Sequence, residues 1–229
     1  MSEWWTYRPS DFLLFSTRSW YRLFELYNAD IWPAQLLALA LGAIVLLLAF
    51  RGRPPADRAI AAIMAACWLW TAWAFHLERY ATINWAAAWF AAAFVVQALL
   101  MLWTGTIRGR LAFRPGWHPR QLTGLSLFVF ALLVQPVLGP LLGRPWSQVQ
   151  AFGVTPDPTV VATLGLLLLD SGKASARLRA IPLLWCAAGA LTLWAMGSPD
   201  ALVMLVAGLG AWVVGCYSAH AASNSARAR

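Results

Sequence analysis

Seven apolar runs separated by short hydrophilic gaps constrain this chain more than any motif in it. They cover residues 32–50, 60–75, 85–103, 122–142, 159–169, 180–196 and 201–218, and the first four contain no ionised side chain. A helix needs about 20 mostly apolar residues to cross about 30 Å of hydrocarbon at about 1.5 Å per residue. The fifth run is the short one. Asp170, Ser171 and Gly172 follow it directly, so it borrows them for its last turn, thins the membrane locally, or enters only part-way. The expectation is an all-α membrane protein of seven transmembrane helices.

Composition excludes the other classes. The chain is 61% hydrophobic and 11% charged, whereas soluble domains are about 45–50% apolar and about 25% charged, which leaves too little polar surface here to wrap a water-soluble core. The same apolar content excludes disorder. Cys67, Cys186 and Cys216 stand on three separate runs with no C-x-x-C spacing, which supports neither a disulfide framework nor a zinc or redox site.

Charge placement gives orientation. There are 17 basic and 9 acidic residues, but the basic ones lie in the gaps, which marks topology and not a nucleic-acid surface. Arg51, Arg53 and Arg58 follow the first run, Arg108, Arg110, Arg114 and Arg120 the third, Lys173, Arg177 and Arg179 the fifth, and Arg227 and Arg229 form the tail. The alternate side has Arg79, Arg144 and the N-terminal Arg8, Arg18 and Arg22, the last three diluted by Glu3, Asp11, Glu25 and Asp30. By the positive-inside rule the N-terminus is outside and the C-terminus inside, and the alternation stays in phase only if all seven runs cross. The expected location is a bacterial inner membrane, multi-pass. Glu3, Trp4 and Trp5 stand where a signal peptide would be basic, so no cleavable leader is expected.

Three segments follow from this reading: an interfacial amphipathic segment (1–30), a seven-helix domain (31–218) and a short basic cytoplasmic tail (219–229). Between residues 16 and 27, Trp20, Leu23, Phe24 and Tyr27 recur at i, i+3, i+4, i+7, opposite Arg18, Arg22 and Glu25. Such a helix lies in the outer interface as an anchor, or covers an outward pocket as a lid. Trp32, Trp85, Trp103, Trp146 and Trp194, near run ends, fit aromatic belts.

Polar residues near the runs are the candidates for function. His76 and Tyr80 share a face at i, i+4 if the second helix continues one turn, and Asn84 can turn back to them; the plainer reading is an interfacial turn with a Glu78–Arg79 charge pair. Asp157 then Pro158 reads as N-cap then N1 of the fifth helix, with Thr159 following. The same helix start would present its positive dipole end and free amides to an outer vestibule, as broken transporter helices do toward anions, or Asp157 would instead be a proton or cation acceptor there. Gln97 and Gln135 are the deepest strongly polar side chains, and Gln135-Pro136 with Pro140 predicts a kink whose freed carbonyls Gln97 or a water would satisfy. Interhelical hydrogen bonding is the structural alternative for both glutamines.

No nucleotide-binding loop, nucleophile elbow, zinc-protease motif or pair of intramembrane carboxylates occurs. The only lysine lies in a gap, and the histidines, His76, His118 and His220, are scattered. No enzyme activity, cofactor or metal is expected. The runs divide three, one, three, which permits a parallel repeat without a convincing internal alignment.

The chain also resembles a family of uncharacterised bacterial and archaeal integral membrane proteins, some labelled transporter permease. The resemblance spans nearly the whole chain and is carried by Ser10-Asp11-Phe12-Leu13-Leu14-Phe15-Ser16, Glu25-Leu26-Tyr27-Asn28, His76 and Tyr80 before Ile83-Asn84, and Phe152-Gly153 with Pro156, Pro158-Thr159, Thr163, Leu164 and Gly165. This chain has Trp85 where the pattern often has proline, and Asp157 where it often has cysteine, which removes a thiol-based role. The resemblance implies a multi-span membrane protein and nothing firmer.

The resulting expectation is a small-solute or ion permease whose outward vestibule is formed by His76, Tyr80, Asn84, Asp157 and Thr159, with Gln97 and Gln135 deeper on the path. The expected partners are the lipid bilayer, the solute or ion, and a second copy or partner subunit, with no nucleic acid. The alternative is a non-transport accessory, sensory or lipid-binding subunit.

Overall fold

The structure, a computed structural model, describes residues 13, 15–170 and 172–227. The first twelve residues with Arg8, Leu14 within the resemblance segment, Ser171 in the third basic gap, and Arg229 in the tail lie outside the described residues. Ten α-helices follow in order: α1 (Thr17–Asp30), α2 (Ala34–Arg51), α3 (Pro54–Trp70), α4 (Ala87–Met101), α5 (Pro119–Val129), α6 (Gln135–Leu141), α7 (Pro156–Leu169), α8 (Lys173–Leu178), α9 (Ala180–Ala195) and α10 (Asp200–Arg227). No strand occurs among the described residues.

Among the described residues six helical stretches are long and apolar enough to cross a membrane: Ala34–Arg51, Pro54–Thr82, Ala87–Ile107, Pro119–Leu141, Ala174–Ala195 and Asp200–Tyr217. The expected seventh is α7, which at 14 residues falls short of that length. Hydrogen bonds tie the segments at both of its ends to neighbouring parts of the chain. At its start, Val154 O accepts from the Tyr27 hydroxyl at 2.7 Å, and at its finish Leu169 O accepts from Arg114 N at 3.3 Å.

Local chemistry sets the helix boundaries. Ser16 caps α1, its Oγ accepting from Ser19 N at 3.1 Å. Gly52, at φ +58°, ends α2 in the left-handed conformation that glycine adopts without penalty. Prolines start α3, α5 and α7, where a first-turn amide would have no partner. The start of α7 differs from the sequence expectation: Thr155 is the N-cap residue and Pro156 opens the helix, so Asp157 is in the first turn and caps nothing. Its carboxylate turns inward instead.

Three helices widen into π turns, at Thr71–Leu77, Leu102–Ile107 and Phe130–Val134. The third directly precedes Gln135-Pro136, where the proline has no N–H to continue the regular ladder. The expected kink at Gln135 therefore takes the form of a π turn.

All residues of α7 are buried, which makes it the central element. It meets α5 through two glycines. A Cβ on Gly165 would lie 2.5 Å from Gly124 O, and one on Gly124 would lie 2.6 Å from Gly165 O. Only a pair without side chains permits this approach of backbones. On its other face Thr163 Oγ1 accepts from Trp68 Nε1 at 2.9 Å. The perimeter is apolar, with Leu37, Leu47, Trp85, Trp89, Leu191 and Val206 exposed, as helices facing lipid require.

The amphipathic periodicity of α1 is correct, and its partner is protein. Trp20, Leu23, Phe24 and Tyr27 are buried against Phe75, Tyr80 and Ala87 instead of facing a membrane interface. Side chains pin the helix from both sides: Tyr21 Oη and Ser198 Oγ are 3.0 Å apart, and Asn28 Nδ2 donates to Ser147 O and Val149 O at 2.9 and 2.8 Å. Tyr27 also accepts from Trp70 Nε1 at 3.0 Å, and burial pushes its hydroxyl pKa up, so it remains a donor to Val154 O. The apolar face of the helix is thus packed on the bundle, over the ends of the neighbouring helices.

Candidate functional site

Asp157 organises the α1 end of the bundle. It is 4% exposed, and Trp185 on α9 donates from Nε1 to its Oδ1 at 2.9 Å. No basic side chain pairs with it among the described residues. A buried carboxylate with one neutral donor and no cation is costly, and such groups in membrane proteins mark sites of function.

Two pockets reach this carboxylate from different sides, and Asp157 is the one lining residue they share. The first, with a cavity volume of only about 20 Å³, is polar and includes Gln135, Arg144, Gln148, Gln150, Asp157 and Asp200. Arg144 pairs with Asp200 at 2.5 Å and lies over the Tyr21 ring of α1 at 4.8 Å. With that pair neutralised, Asp157 leaves the pocket with one negative charge in excess. Gln135 Oε1 and Gln150 Oε1 are buried without a partner, so two further acceptor oxygens are unsatisfied there. The second pocket, with a cavity volume of only about 20 Å³, is aromatic and includes Trp20, Tyr80, Phe90, Asp157, Trp185 and Thr192.

The loop before α7 holds Asp157 in place through threonines. Thr159 Oγ1 accepts from Gly153 N at 2.9 Å and donates to Thr155 O at 2.7 Å. Gly153, at φ +79°, closes the turn, and a Cβ there would press on Cys67 Sγ at 3.1 Å and Ala38 Cβ at 3.2 Å. Thr159 is fully buried and committed to this turn, so it supports the site without facing it.

The structure brings six of the seven expected residues to one end, all but Gln97. His76 sits in the π turn of the second long helix and is fully buried, with neither ring nitrogen partnered. Its ring is enclosed by Phe94 at 4.5 Å, Trp185 at 5.1 Å, Tyr80 at 6.0 Å and Phe90 at 6.2 Å. It stands behind the aromatic wall of the second pocket. Asn84 does turn back, donating from Nδ2 to the Tyr80 hydroxyl at 2.8 Å while its Oδ1 accepts from Ala86 N at 3.0 Å. The adjacent charges do not pair with each other as expected: Arg79 reaches Asp30 on α1.

The glutamines separate. Gln135 lines the polar pocket, whereas Gln97 lies toward the opposite end, donating to Leu178 O at 3.1 Å with its Oε1 buried and unpartnered. Gln97 thus makes the interhelical bond that was the structural alternative for it, and it does not serve the kink at Pro136.

Sequence reasoning missed two groups. Trp185 and the Arg144–Asp200 pair complete the site from runs far along the chain; the only signal was that Arg144 and Asp200 are opposite charges in gaps of the same phase. At the opposite end, Arg114 grips Asp57 with two bonds of 2.7 and 2.9 Å, and Asp57 also accepts from Phe113 N at 3.0 Å. The Asp57 bond pushes the Arg114 guanidinium pKa up. Asp170 accepts from Ala112 N at 3.3 Å on its side chain and from Arg120 on its carbonyl. The basic gap after α4 is thus tied to the starts and ends of its neighbours. Among the described residues no three His, Cys, Asp or Glu side chains stand together to hold a metal ion.

Residues 17–226 match a family whose description is a family of unknown function, DUF6064. No curated protein matches the chain, and no solved structure does.

Proposed function

The chain belongs to the DUF6064 family, whose function is unknown, and from that premise we propose that it is a permease for a small cationic or hydrogen-bond-donating solute. One observation carries the reading: a buried carboxylate without a counter-ion, Asp157, is the single residue common to a polar pocket and an aromatic pocket. A group that is reached from two sides and left unneutralised by the protein is suited to meet a passing charge or proton. Its place in the first turn of a short central helix fits the discontinuous helices around which transporters build their sites.

The proposed arrangement has seven crossings, with α7 supported by protein on all sides, the N-terminus outside and the C-terminus inside. The basic gaps support this orientation, since Arg58, Arg114, Arg120 and Arg179 belong to one end of the bundle and Arg79 and Arg144 to the other. On this reading the site opens outward beneath α1, in a bacterial cytoplasmic membrane.

Purified protein in liposomes tests the proposal. Under imposed gradients of protons, sodium, potassium and small alkylammonium ions, the wild type should move at least one species, and Asp157→Asn, which keeps the side-chain shape, should lose that flux. Folded, inserted protein that moves none of them would overturn the permease reading.

A second reading has its own observation. An apolar groove between α2 and the α5–α6 helix, lined by Trp32, Leu39, Ala43, Leu132, Leu133 and Pro136, is topped by Glu25 and Asn28 of α1. An apolar channel with a polar rim suits an acyl chain and its headgroup, which favours a lipid-binding subunit if flux is absent.

A further inference from the structure

We infer that the second pocket is an aromatic cage for the head of a small alkylammonium ion, with Asp157 as its counter-ion. The inference rests on the permease reading and supplies its substrate class.

Four aromatic side chains from four separate elements converge on the pocket: Trp20 of α1, Tyr80 after the π turn, Phe90 of α4 and Trp185 of α9. Tyr80 and Phe90 are stacked at 6.2 Å with their planes 12° apart, Phe90 meets Trp185 edge-on at 5.2 Å, and Trp20 meets Tyr80 edge-on at 5.1 Å. Such rings present negative π faces, which attract a cation, and the attraction grows once water is excluded. The lining adds one carboxylate and no lysine or arginine. An anion would therefore meet Asp157 and the ring faces with only the Trp20 N–H to offset the repulsion.

The donor set also decides between kinds of cation. A bare metal ion needs several oxygen ligands, and here it would find one carboxylate, whose Oδ1 is already bonded to Trp185, and Thr192, whose hydroxyl donates to Ala188 O at 2.8 Å. An alkylammonium head needs apolar contact and one negative charge, which is what the pocket has. The closed pocket holds only about 20 Å³, so the head gains its room as α1 shifts, against the small residues of α9. Ala188 and Gly189 form one side, and a Cβ on Gly189 would stand in ordinary contact at 3.7 Å from Asp157 Oδ1.

One donor is unexplained by packing alone. Trp20 is 4% exposed, lines the pocket, and its Nε1 is buried with no partner. An acceptor oxygen on the ligand would satisfy it, so a hydroxyalkylammonium such as choline is the probe of choice. Because Trp20 belongs to α1, that helix contributes one wall of the cage and must shift for the head to enter.

The test is equilibrium binding of radiolabelled choline to the full chain in detergent, with competition by its neutral isostere, in which a quaternary carbon replaces the nitrogen. Wild type should bind choline and ignore the isostere. Asp157→Asn and Phe90→Leu should each weaken binding at least about tenfold, the equivalent of about 1.4 kcal/mol, with thermal unfolding used to confirm that both variants fold. Gly189→Val, which fills the pocket from a position with room for a Cβ, should abolish binding and serves as the independent variant if Phe90→Leu is unstable. No choline binding, equal competition by the isostere, or unchanged affinity in Asp157→Asn would each overturn the cage. Asp157-dependent binding of sodium or potassium in place of choline would overturn it too, while leaving a permease for an inorganic ion. Choline binding without choline flux in liposomes would uphold the cage and overturn the transport role.

Discussion

Asp157 and Trp185 form the one polar contact in the aromatic half of the site that joins α7 to α9 directly. The indole is buried, so removing its N–H leaves a carboxylate oxygen in an apolar surround with no replacement donor. Trp185→Phe should therefore lower stability by about 1–3 kcal/mol, the usual cost of stranding a buried polar group. Thermal unfolding in detergent reads this directly, and an unchanged midpoint would mean that water or another donor already serves Asp157. The residue was singled out in the sequence for a different reason. Asp-Pro before an apolar run is a capping pattern, but this run is preceded by two prolines, Pro156 and Pro158, and the helix opens at the earlier one. That shift turns the carboxylate from the helix end to the helix side. The partner that makes it a site, Trp185, lies on another run, and no local pattern announces a contact between runs.

At the scale of elements, the α5–α7 contact brings two helix backbones together at a pair of glycines. Gly165→Ala would place a Cβ 2.5 Å from Gly124 O and 2.7 Å from Phe128 N, backbone atoms that cannot rotate aside. The helices must separate, at a cost of about 1–3 kcal/mol by analogy with overpacked cores. Gly210→Ala is the matched control, since a Cβ there meets nothing within 4 Å and alanine is the better helix former. A thermal melt in which both variants lose the same stability would remove the special status of the glycine pair. The helices themselves were largely legible, because hydrophobic runs and prolines act locally. What periodicity could not supply was the identity of the surface each face meets. Trp20, Leu23, Phe24 and Tyr27 were visible as an apolar stripe, yet a stripe reads the same whether lipid or protein covers it. The same limit hid Gln97, whose depth in its helix was plain but whose partner, the Leu178 carbonyl, belongs to a helix read only as a charged gap.

For the whole molecule, the proposed orientation makes a prediction independent of any ligand. A reporter fused to the C-terminus should report the cytoplasm, and one inserted at Gly197, in the turn between α9 and α10 where φ is +70° and no side chain is near, should report the opposite side. Reporters on the same side, or reversed, would sink the topology and with it the outward-facing site. Charge counting reached this far because the arginines mark gaps, not contacts. The clustering of Asp57, Arg114, Asp170 and Arg120 was invisible to it, since the acidic residues that organise the far end lie at the edges of apolar runs and were diluted in the net count.

The enclosure of α7 also bears on how the chain is made. Fourteen residues give about 21 Å of helix, less than a bilayer can hold unaided, and the surfaces that shield it belong partly to α9 and α10, which leave the ribosome after it. During synthesis the segment therefore has only the earlier helices, α3 and α5 among them, beside it, with the later part of its surroundings still unmade. Its settled position is an event of the completed chain. Changes in α9 or α10 that touch neither pocket can thus stall assembly at a stage where the earlier helices are already in the membrane.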